Sequence, residues 1–177
     1  MKKEGKILNL GVSVEKVEEA MMAMAFNNVT TVQIIFNMFR QKPAEAFFKA
    51  AAEKNVGIIV RVPLASGLLT GKFTRETSFG AEDHRNFNRE GAAFDKGETF
   101  SGIDYETGLD AVEELKRVFP NTKNLAPVAL KWILMHQEVS CVIPGASRPD
   151  QVSSNLSTLD LPDLTEEQMK RVKDIYE

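Results

Sequence analysis

Hydrophobic residues fall along the chain in two alternating patterns, short apolar runs and longer stretches with a helical spacing. Four short runs predict buried strands at residues 6–13, 31–36, 56–62 and 139–143. After the first of them, apolar residues within 17–24 recur at i, i+3, i+4 and i+7, which is the spacing of one helix face. Nearly continuous apolar strands that alternate with amphipathic helices predict a parallel sheet covered by helices.

The complete set of predicted helices covers residues 14–26, 43–54, 105–119, 125–136, 149–156 and 165–176. The last begins with Thr165 and has Gln168 three positions on, the spacing of a capping box. We expect one α/β domain over 1–177, and residues 67–104 form its one long loop, either a lid or binding loop or else disordered. The four βα units fit a small open sheet or half of an eight-stranded barrel, and the spacing leaves both open.

Composition narrows the class of protein. The chain has 177 residues, of which 43% are hydrophobic and 27% charged, values typical of a soluble globular domain. A net charge of -3 without a basic stripe argues against nucleic acid, and no apolar run reaches the roughly 20 residues needed to cross a bilayer. The charged start of the chain lacks the apolar segment of a secretory signal.

The titratable side chains add two expectations. A single cysteine, Cys141, excludes an internal disulfide and favours the reducing cytoplasm, and its apolar strand predicts a core position. The two histidines, His84 and His136, have no partners at metal-ligand spacing, so no metal site is expected.

The strongest local signal for chemistry lies at residues 139–155. An apolar strand ends in Pro144-Gly145, small polar residues follow, and a helix begins near Pro149. Backbone N–H groups at a helix start favour an anion. Many strand-to-helix turns bind nothing, and that alternative has equal weight on this segment alone.

Five segments, in order and at matching spacing, resemble the aldo-keto reductase family. Gly5-Lys-Ile-Leu-Asn-Leu-Gly-Val-Ser13 resembles its fifth strand, Gln33-Ile-Ile-Phe-Asn37 its sixth, and Pro63-Leu-Ala-Ser-Gly-Leu-Leu-Thr-Gly-Lys72 the stretch after its seventh. Ala129-Leu-Lys-Trp-Ile-Leu134 resembles the helix before the eighth strand, and Ile143-Pro-Gly-Ala with Gln151 and Asn155 resembles the cofactor phosphate site after it. The resemblance covers essentially all of the chain and implies strands five to eight of a (β/α)8 TIM barrel, a half-barrel with outer helices.

The resemblance implies an NADP(H)-dependent oxidoreductase that reduces a small carbonyl substrate to an alcohol. In that family the nicotinamide supplies hydride and a tyrosine supplies a proton. The family's catalytic Asp, Tyr, Lys and His belong to its first four strands, to which nothing in this sequence corresponds. No catalytic residue is therefore assigned, and we expect the chain alone to be inactive.

The resemblance places the cofactor-binding positions in this half. Ser13 and Gln33 match residues that bind the nicotinamide carboxamide, and Asn37 matches the end of that strand motif. The pyrophosphate positions are Leu64 and Ser66, and those for the adenosine 2′-phosphate and adenine are Gly145, Ala146, Ser147, Arg148, Gln151 and Asn155.

Two positions depart from the family pattern. Val14 stands where the family usually has Asn after the serine of its fifth strand. Arg61 stands where an aromatic ring often stacks on the nicotinamide; it could stack, pair with a phosphate or an acidic substrate, or reach solvent as an end-of-strand charge.

Three functions remain open at this point. The chain could be a fragment or truncated gene product of an aldo-keto reductase. It could instead be a non-catalytic half-barrel that binds NADP(H) or another nucleotide as a sensor or assembly module. Its edge strands and interior would then favour self-association or pairing with a missing N-terminal half. The third possibility is a small open α/β domain that binds a phosphosugar.

Overall fold

A computed structural model describes all residues, 1–177, and places four parallel strands in one sheet. The strands lie side by side in chain order: β1 (Leu10–Ser13), β2 (Val29–Ile35), β3 (Gly57–Arg61) and β4 (Val139–Val142). All four predicted strands are confirmed, although β1 begins later than the apolar run suggested. Because the strands are parallel, their carboxyl ends share one edge of the sheet.

The chain forms eight α-helices, and none has the length and apolar character required to cross a membrane. They are α1 (Val17–Ala23), α2 (Lys42–Glu45), α3 (Phe47–Glu53), α4 (His84–Phe87), α5 (Tyr105–Val118), α6 (Leu125–Leu134), α7 (Pro149–Leu156) and α8 (Glu166–Tyr176). The helix predicted at 43–54 is two helices, because Ala46 leaves helical geometry at φ -135°. The predicted capping box of α8 is confirmed: the Gln168 N–H donates to Thr165 Oγ1 over 3.1 Å.

The hydrophobic core lies between the helices and one face of the sheet. Val32, Ile58 and Val60 point into it from the central strands and have no exposed surface. Trp132 of α6 stacks on Phe36, with ring centroids 4.9 Å apart, so this helix is anchored directly behind β2. These contacts fix the strand ends that carry the candidate site.

The opposite face of the sheet is not covered by helices. In register across it stand Ser13, Gln33, Ile59 and Cys141, all exposed or half-buried. The prediction that Cys141 is a core residue is wrong. An apolar strand predicts two buried faces, whereas the helices here bury only one.

Exposed apolar side chains collect in and after the helices that follow the two edge strands in sequence. Met22 of α1 and Phe26, just after it, have 71% and 63% of their surface exposed. At the other edge, Leu156 of α7 and Leu159 are 59% and 73% exposed. Met21, predicted for the buried face of α1, is 42% exposed, because α1 turns only Ala20 and Met24 fully inward.

The long connection after β3 is folded. It contains α4 and three 3-10 helices, Ala65–Thr70, Lys96–Glu98 and Phe100–Gly102. Aromatic rings hold its middle together: Phe73 packs on Phe79 at 5.3 Å, and the guanidinium of Arg85 lies 4.6 Å from the Phe79 ring. Such cation–π contacts stabilise a segment that has little helical periodicity of its own.

Candidate functional site

A cavity of about 790 Å³ opens at the carboxyl edge of the sheet, beyond β3 and β4. Its size is that of a site for a small molecule or cofactor. One wall is the turn after β3 and the other is the turn that leads into α7. Its lining comprises Val62, Pro63, Leu64, Ser66, Gly67, Thr70, Lys72, His84, Arg85, Glu98, Asn124, Ala126, Gly145, Ala146, Ser147, Asp150, Gln151, Ser154 and Asn155.

The turn after β3 is conformationally strained. Val62, Ala65 and Ser66 have φ values of 50°, 47° and 55°, a region that residues with a Cβ rarely adopt. Each such residue costs about 1–3 kcal/mol and persists only where surrounding contacts enforce it. The strain brings backbone close to the cavity, which is a common arrangement at ligand sites.

Ser66 is held in this turn by the far end of the long loop. Its hydroxyl donates to the Glu98 carbonyl over 2.9 Å and accepts the Phe100 N–H over 3.1 Å. The segment 97–102 therefore supports the cavity wall from behind. Leu64, at the start of the turn, also lines the cavity.

The turn before α7 is organised by the side chain of Gln151. Its Oε1 accepts the Ser147 N–H at 2.6 Å and the Arg148 N–H at 3.3 Å. This contact fixes the start of α7, whose Pro149 occupies the first helical turn as predicted. On the α6 side, Asn124 donates to the Ser154 hydroxyl over 2.9 Å and closes the wall.

Charged groups meet at the mouth of the cavity. Lys72 and Arg85 bring positive charge to the lining, opposite Asp150 and Glu98. A hydrogen bond from Arg85 lowers the pKa of Asp83 to about 2, so Asp83 stays ionised and holds Arg85 in place. Lys72 and Arg85 give this part of the lining two cations that can attract an anionic ligand.

Arg148 lies outside the cavity lining, on the exposed rim. Its guanidinium pairs with Asp150 at 3.1 Å in open solvent, and the hydrogen bond from Arg148 lowers the pKa of Asp150. An exposed ion pair of this kind stabilises the fold little, so another anion can readily replace Asp150.

Asn37 is fully buried and does not face the cavity. Its amide donates to the Val62 carbonyl at 2.9 Å and the Ser101 hydroxyl at 2.7 Å, and its oxygen accepts the Phe39 N–H at 2.9 Å. All of its hydrogen-bonding capacity lies within the fold. We therefore revise its role from contact with the cofactor to support of the strained turn.

Arg61 is committed to two carboxylates. Its Nη2 donates to Glu15 at 2.7 Å and to the Val14 carbonyl at 3.0 Å, and its Nη1 pairs with Glu98. Only 12% of its side chain is exposed. Arg61 is thus neither an end-of-strand charge in solvent nor, in this structure, available to a phosphate.

Ser13 and Gln33 lie beside each other in register on the uncovered face of the sheet, outside the cavity. Of the twelve candidate residues, seven line the cavity together: Leu64, Ser66, Gly145, Ala146, Ser147, Gln151 and Asn155. The remaining five are Ser13, Gln33, Asn37, Arg61 and Arg148.

Eight polar lining residues were not among the candidates from sequence, and Lys72, Arg85 and Asn124 are three of them. Lys72 closes a motif that had been recognised, so its position was a usable signal. No signal in the sequence marked Arg85 and Asn124, because their position beside the cavity depends on how the long loop and α6 pack. Polar residues in segments without periodicity are placed only by tertiary contacts.

Comparison with known proteins identifies the family. The model of the aldo/keto reductase family matches residues 1–177. This chain belongs to the aldo/keto reductase family. Its four strands and outer helices correspond to half of the TIM barrel of an aldo/keto reductase.

Curated relatives carry the same family name. Aldo-keto reductase str7 of Strobilurus tenacellus is 29% identical over 180 residues, which cover 99% of this chain and 50% of that protein. Aldo-keto reductase YhdN of Bacillus subtilis is 27% identical and is likewise covered to 50%. The chain therefore spans about half the length of the curated relatives that it matches.

A solved structure of the family superposes on this half. A glycerol dehydrogenase from Gluconobacter oxydans is 28% identical, with a TM-score of 0.74 over 98% of this chain and 50% of that one. The holo form of an aldo-keto reductase from Bacillus halodurans, 24% identical, shares the fold at a TM-score of 0.72. Aldo/keto reductases are oxidoreductases, and this half carries the cavity described above.

Proposed function

We propose that this chain is the cofactor-holding half of an NADP(H)-dependent carbonyl reductase. The observation that carries the proposal is the convergence of seven candidate residues on one cavity. These residues come from two turns about 80 positions apart in sequence, at the edge of the sheet where α/β proteins bind ligands. When bound, the nicotinamide supplies or accepts the hydride.

The lining fits a dinucleotide phosphate. Lys72 and Arg85 supply positive charge, and Gln151 fixes the turn beside the start of α7 by accepting the Ser147 N–H. A cavity of about 790 Å³ has the volume for a large part of such a ligand. The strained turn at Ser66 brings backbone close enough to follow a pyrophosphate.

Preference for NADP(H) over NAD(H) rests on Arg148. Its guanidinium stands at the rim of the turn and is held by Asp150 alone. A 2′-phosphate beside α7 would replace that carboxylate with a doubly charged, bidentate partner. Arg148 is therefore the residue to which we assign the discrimination.

We propose that the chain alone binds the cofactor without reducing carbonyls. The residues implied for proton transfer have no counterpart here, and neither Tyr105 nor Tyr176 lines the cavity. The substrate of a complete enzyme would be a small carbonyl compound. A cytoplasmic location is also proposed, on the use of one cysteine.

The exposed face and edges of the half-barrel favour a second, related proposal. Met22 and Phe26, which follow one edge strand in sequence, are exposed, as are Leu156 and Leu159, which follow the other. We propose that these edges bind another half-barrel, either a second copy of this chain or an N-terminal half. Light scattering at low concentration should find a dimer, whereas a stable monomer would contradict self-association.

Titration with NADPH and NADH tests the proposed function. We expect Arg148→Ala to weaken NADPH binding about tenfold, the effect of losing about 1.4 kcal/mol, and to change NADH binding little. Arg171→Ala, on the exposed surface of α8, is the matched control. Equal loss for both cofactors would contradict the role of Arg148, and no binding of either would contradict the proposed function.

Measurement of NADPH oxidation with a panel of aldehydes tests the proposal that the chain alone does not reduce carbonyls. We expect no turnover by the purified chain. Turnover at a rate typical of enzymes would show that a proton donor exists within these residues.

A further inference from the structure

Three charged side chains from distant parts of the chain meet beside the cavity. Glu15 follows β1, Arg61 ends β3, and Glu98 ends a 3-10 helix of the long loop. The guanidinium of Arg61 contacts both carboxylates, at 2.7 Å for Glu15. We call these residues the Glu-Arg-Glu cluster.

The Glu-Arg-Glu cluster is connected to the cavity wall through Glu98. The carboxylate of Glu98 binds Arg61, whereas its backbone carbonyl accepts the Ser66 hydroxyl at 2.9 Å. Glu98 and Ser66 both line the main cavity. A shift of Glu98 would therefore move Ser66 and the strained turn around it.

The cluster holds two carboxylates against the one guanidinium of Arg61. Glu15 Oε2 is buried and receives no hydrogen bond, a position that is unfavourable for an ionised carboxylate. Protonation of Glu15 removes the charge that competes with Glu98 for Arg61.

Other charged groups surround the cluster on each side. Arg40 donates to the Glu15 carbonyl at 2.7 Å, and Glu19 accepts the Glu15 N–H at 2.9 Å. His84 lines a smaller cavity of about 390 Å³ together with Glu15 and Glu98. Lys16 and Asp95 are the charged side chains near Glu19.

We propose that Arg61 is a positioning residue of the dinucleotide cavity, which holds its wall through Glu98, and that the charge of Glu15 on the same guanidinium controls this contact. The inference rests on the proposed function, since it names the regulation of the same cavity. Arg61 then acts on the cofactor through Ser66 and not by touching it.

The direction of the pH effect follows from the anchoring of each group. Burial raises the pKa of Glu15 against the opposing charge of Arg61, and the hydrogen bond with Glu98 raises it further. Above that pKa two ionised carboxylates repel across one guanidinium. Arg61 is held by the Val14 carbonyl and Glu15 by Glu19 and Arg40, so Glu98 is the group that moves. Cofactor affinity should fall as the pH rises.

NADH is the appropriate ligand for the test, because the extra phosphate of NADPH itself titrates at about pH 6. We expect the wild-type Kd for NADH to rise about threefold or more as the pH increases from the ordinary range of a glutamate carboxyl, through the raised pKa of Glu15, to neutral. Glu15→Gln keeps a donor toward Glu98 without a charge, so its Kd should stay near the low-pH value throughout. Arg61→Met should bind weakly at every pH. Glu90→Gln, in the same loop and exposed, should follow the wild type.

Hydrogen exchange of the Phe100 amide, which donates to Ser66 Oγ, reports on the contact between the cavity wall and the loop segment that carries Glu98, without any cofactor. After correction for intrinsic rates, its protection should fall with rising pH in the wild type and not in Glu15→Gln. That pattern without NADH binding would support the role of Arg61 and Glu98 in holding the cavity wall, and it would contradict the proposed function. NADH binding and Phe100 protection that are both independent of pH in the wild type would overturn the inference.

Discussion

The side-chain amide of Asn37 donates to the hydroxyl of Ser101 over 2.7 Å, and both residues are buried. They lie 64 positions apart, one at the end of β2 and the other in the return segment of the long loop. This hydrogen bond joins the loop to the sheet at the edge where the cavity opens. The loop is therefore part of the site and not an appendage to it.

Asn37→Ala should lower the free energy of unfolding by about 2–4 kcal/mol, because it leaves the Phe39 N–H and the Val62 carbonyl buried without a side-chain partner. Urea denaturation measures the change. Ser101→Ala, which removes one bond of the same network, should cost about 1 kcal/mol. Asn9→Ala on the exposed surface is the control, and an equally small effect at Asn37 would refute the structural role.

Gly108→Ala should destabilise the fold although alanine favours helices. A Cβ at this position in α5 would lie 2.5 Å from Leu68 Cδ2 and 3.0 Å from Ile103 Cδ1. Overpacking of this kind costs about 1–3 kcal/mol, which exceeds the helix gain of about 1 kcal/mol. Because Leu68 belongs to the turn that lines the cavity, NADPH binding should weaken as well.

The control for this steric argument is Gly80→Ala. No atom lies within 4 Å of a Cβ at Gly80, so its stability should change by less than about 0.5 kcal/mol. Thermal unfolding of the two variants distinguishes them. Equal melting temperatures would mean that α5 accommodates the methyl group.

Stability should decline in mild acid because of His136. Its ring packs against Phe36 and Trp132 at 4.9 and 4.6 Å, and burial lowers its pKa below the ordinary value. Above about pH 6.5 both folded and unfolded states are neutral at this residue. Below it the unfolded state binds a proton first, so the free energy of unfolding falls as the pH drops through the lowered folded-state pKa.

Urea midpoints from about pH 7 to about pH 5 measure this effect. His136→Phe should remove this histidine's part of the dependence, whereas His84→Asn, at a half-buried position at the start of α4, should retain it. An unchanged slope in His136→Phe would assign the acid sensitivity to other groups.

Gln151→Glu should distinguish the effect of the cofactor's charge on binding from the effect of the shape of the turn. A glutamate can still accept the Ser147 N–H, so the turn should keep its shape. Its negative charge would face the proposed 2′-phosphate, and NADPH binding should weaken about tenfold while NADH binding changes less. Gln137→Glu adds the same charge on the exposed surface before β4. A parallel loss for both cofactors in Gln151→Glu would contradict the proposed phosphate position.

The local elements were accessible from the sequence because their signals are local. The apolar runs identified four strands, Pro149 marked the start of α7, and Thr165 with Gln168 marked that of α8. The register of five motifs also indicated the family, which the family model confirms. Each strand, helix start and motif is defined by residues that lie close together in the sequence.

The contacts across the chain were decided only in three dimensions. The sequence alone did not reveal that Asn37 supports the loop, that Cys141 is exposed, or that Arg61 is neutralised by Glu15 and Glu98. The physical reason is that burial and charge pairing depend on which segments meet, and the long loop brings together residues up to 64 positions apart. Periodicity determines which face of an element is apolar, and packing determines what that face and its polar neighbours contact.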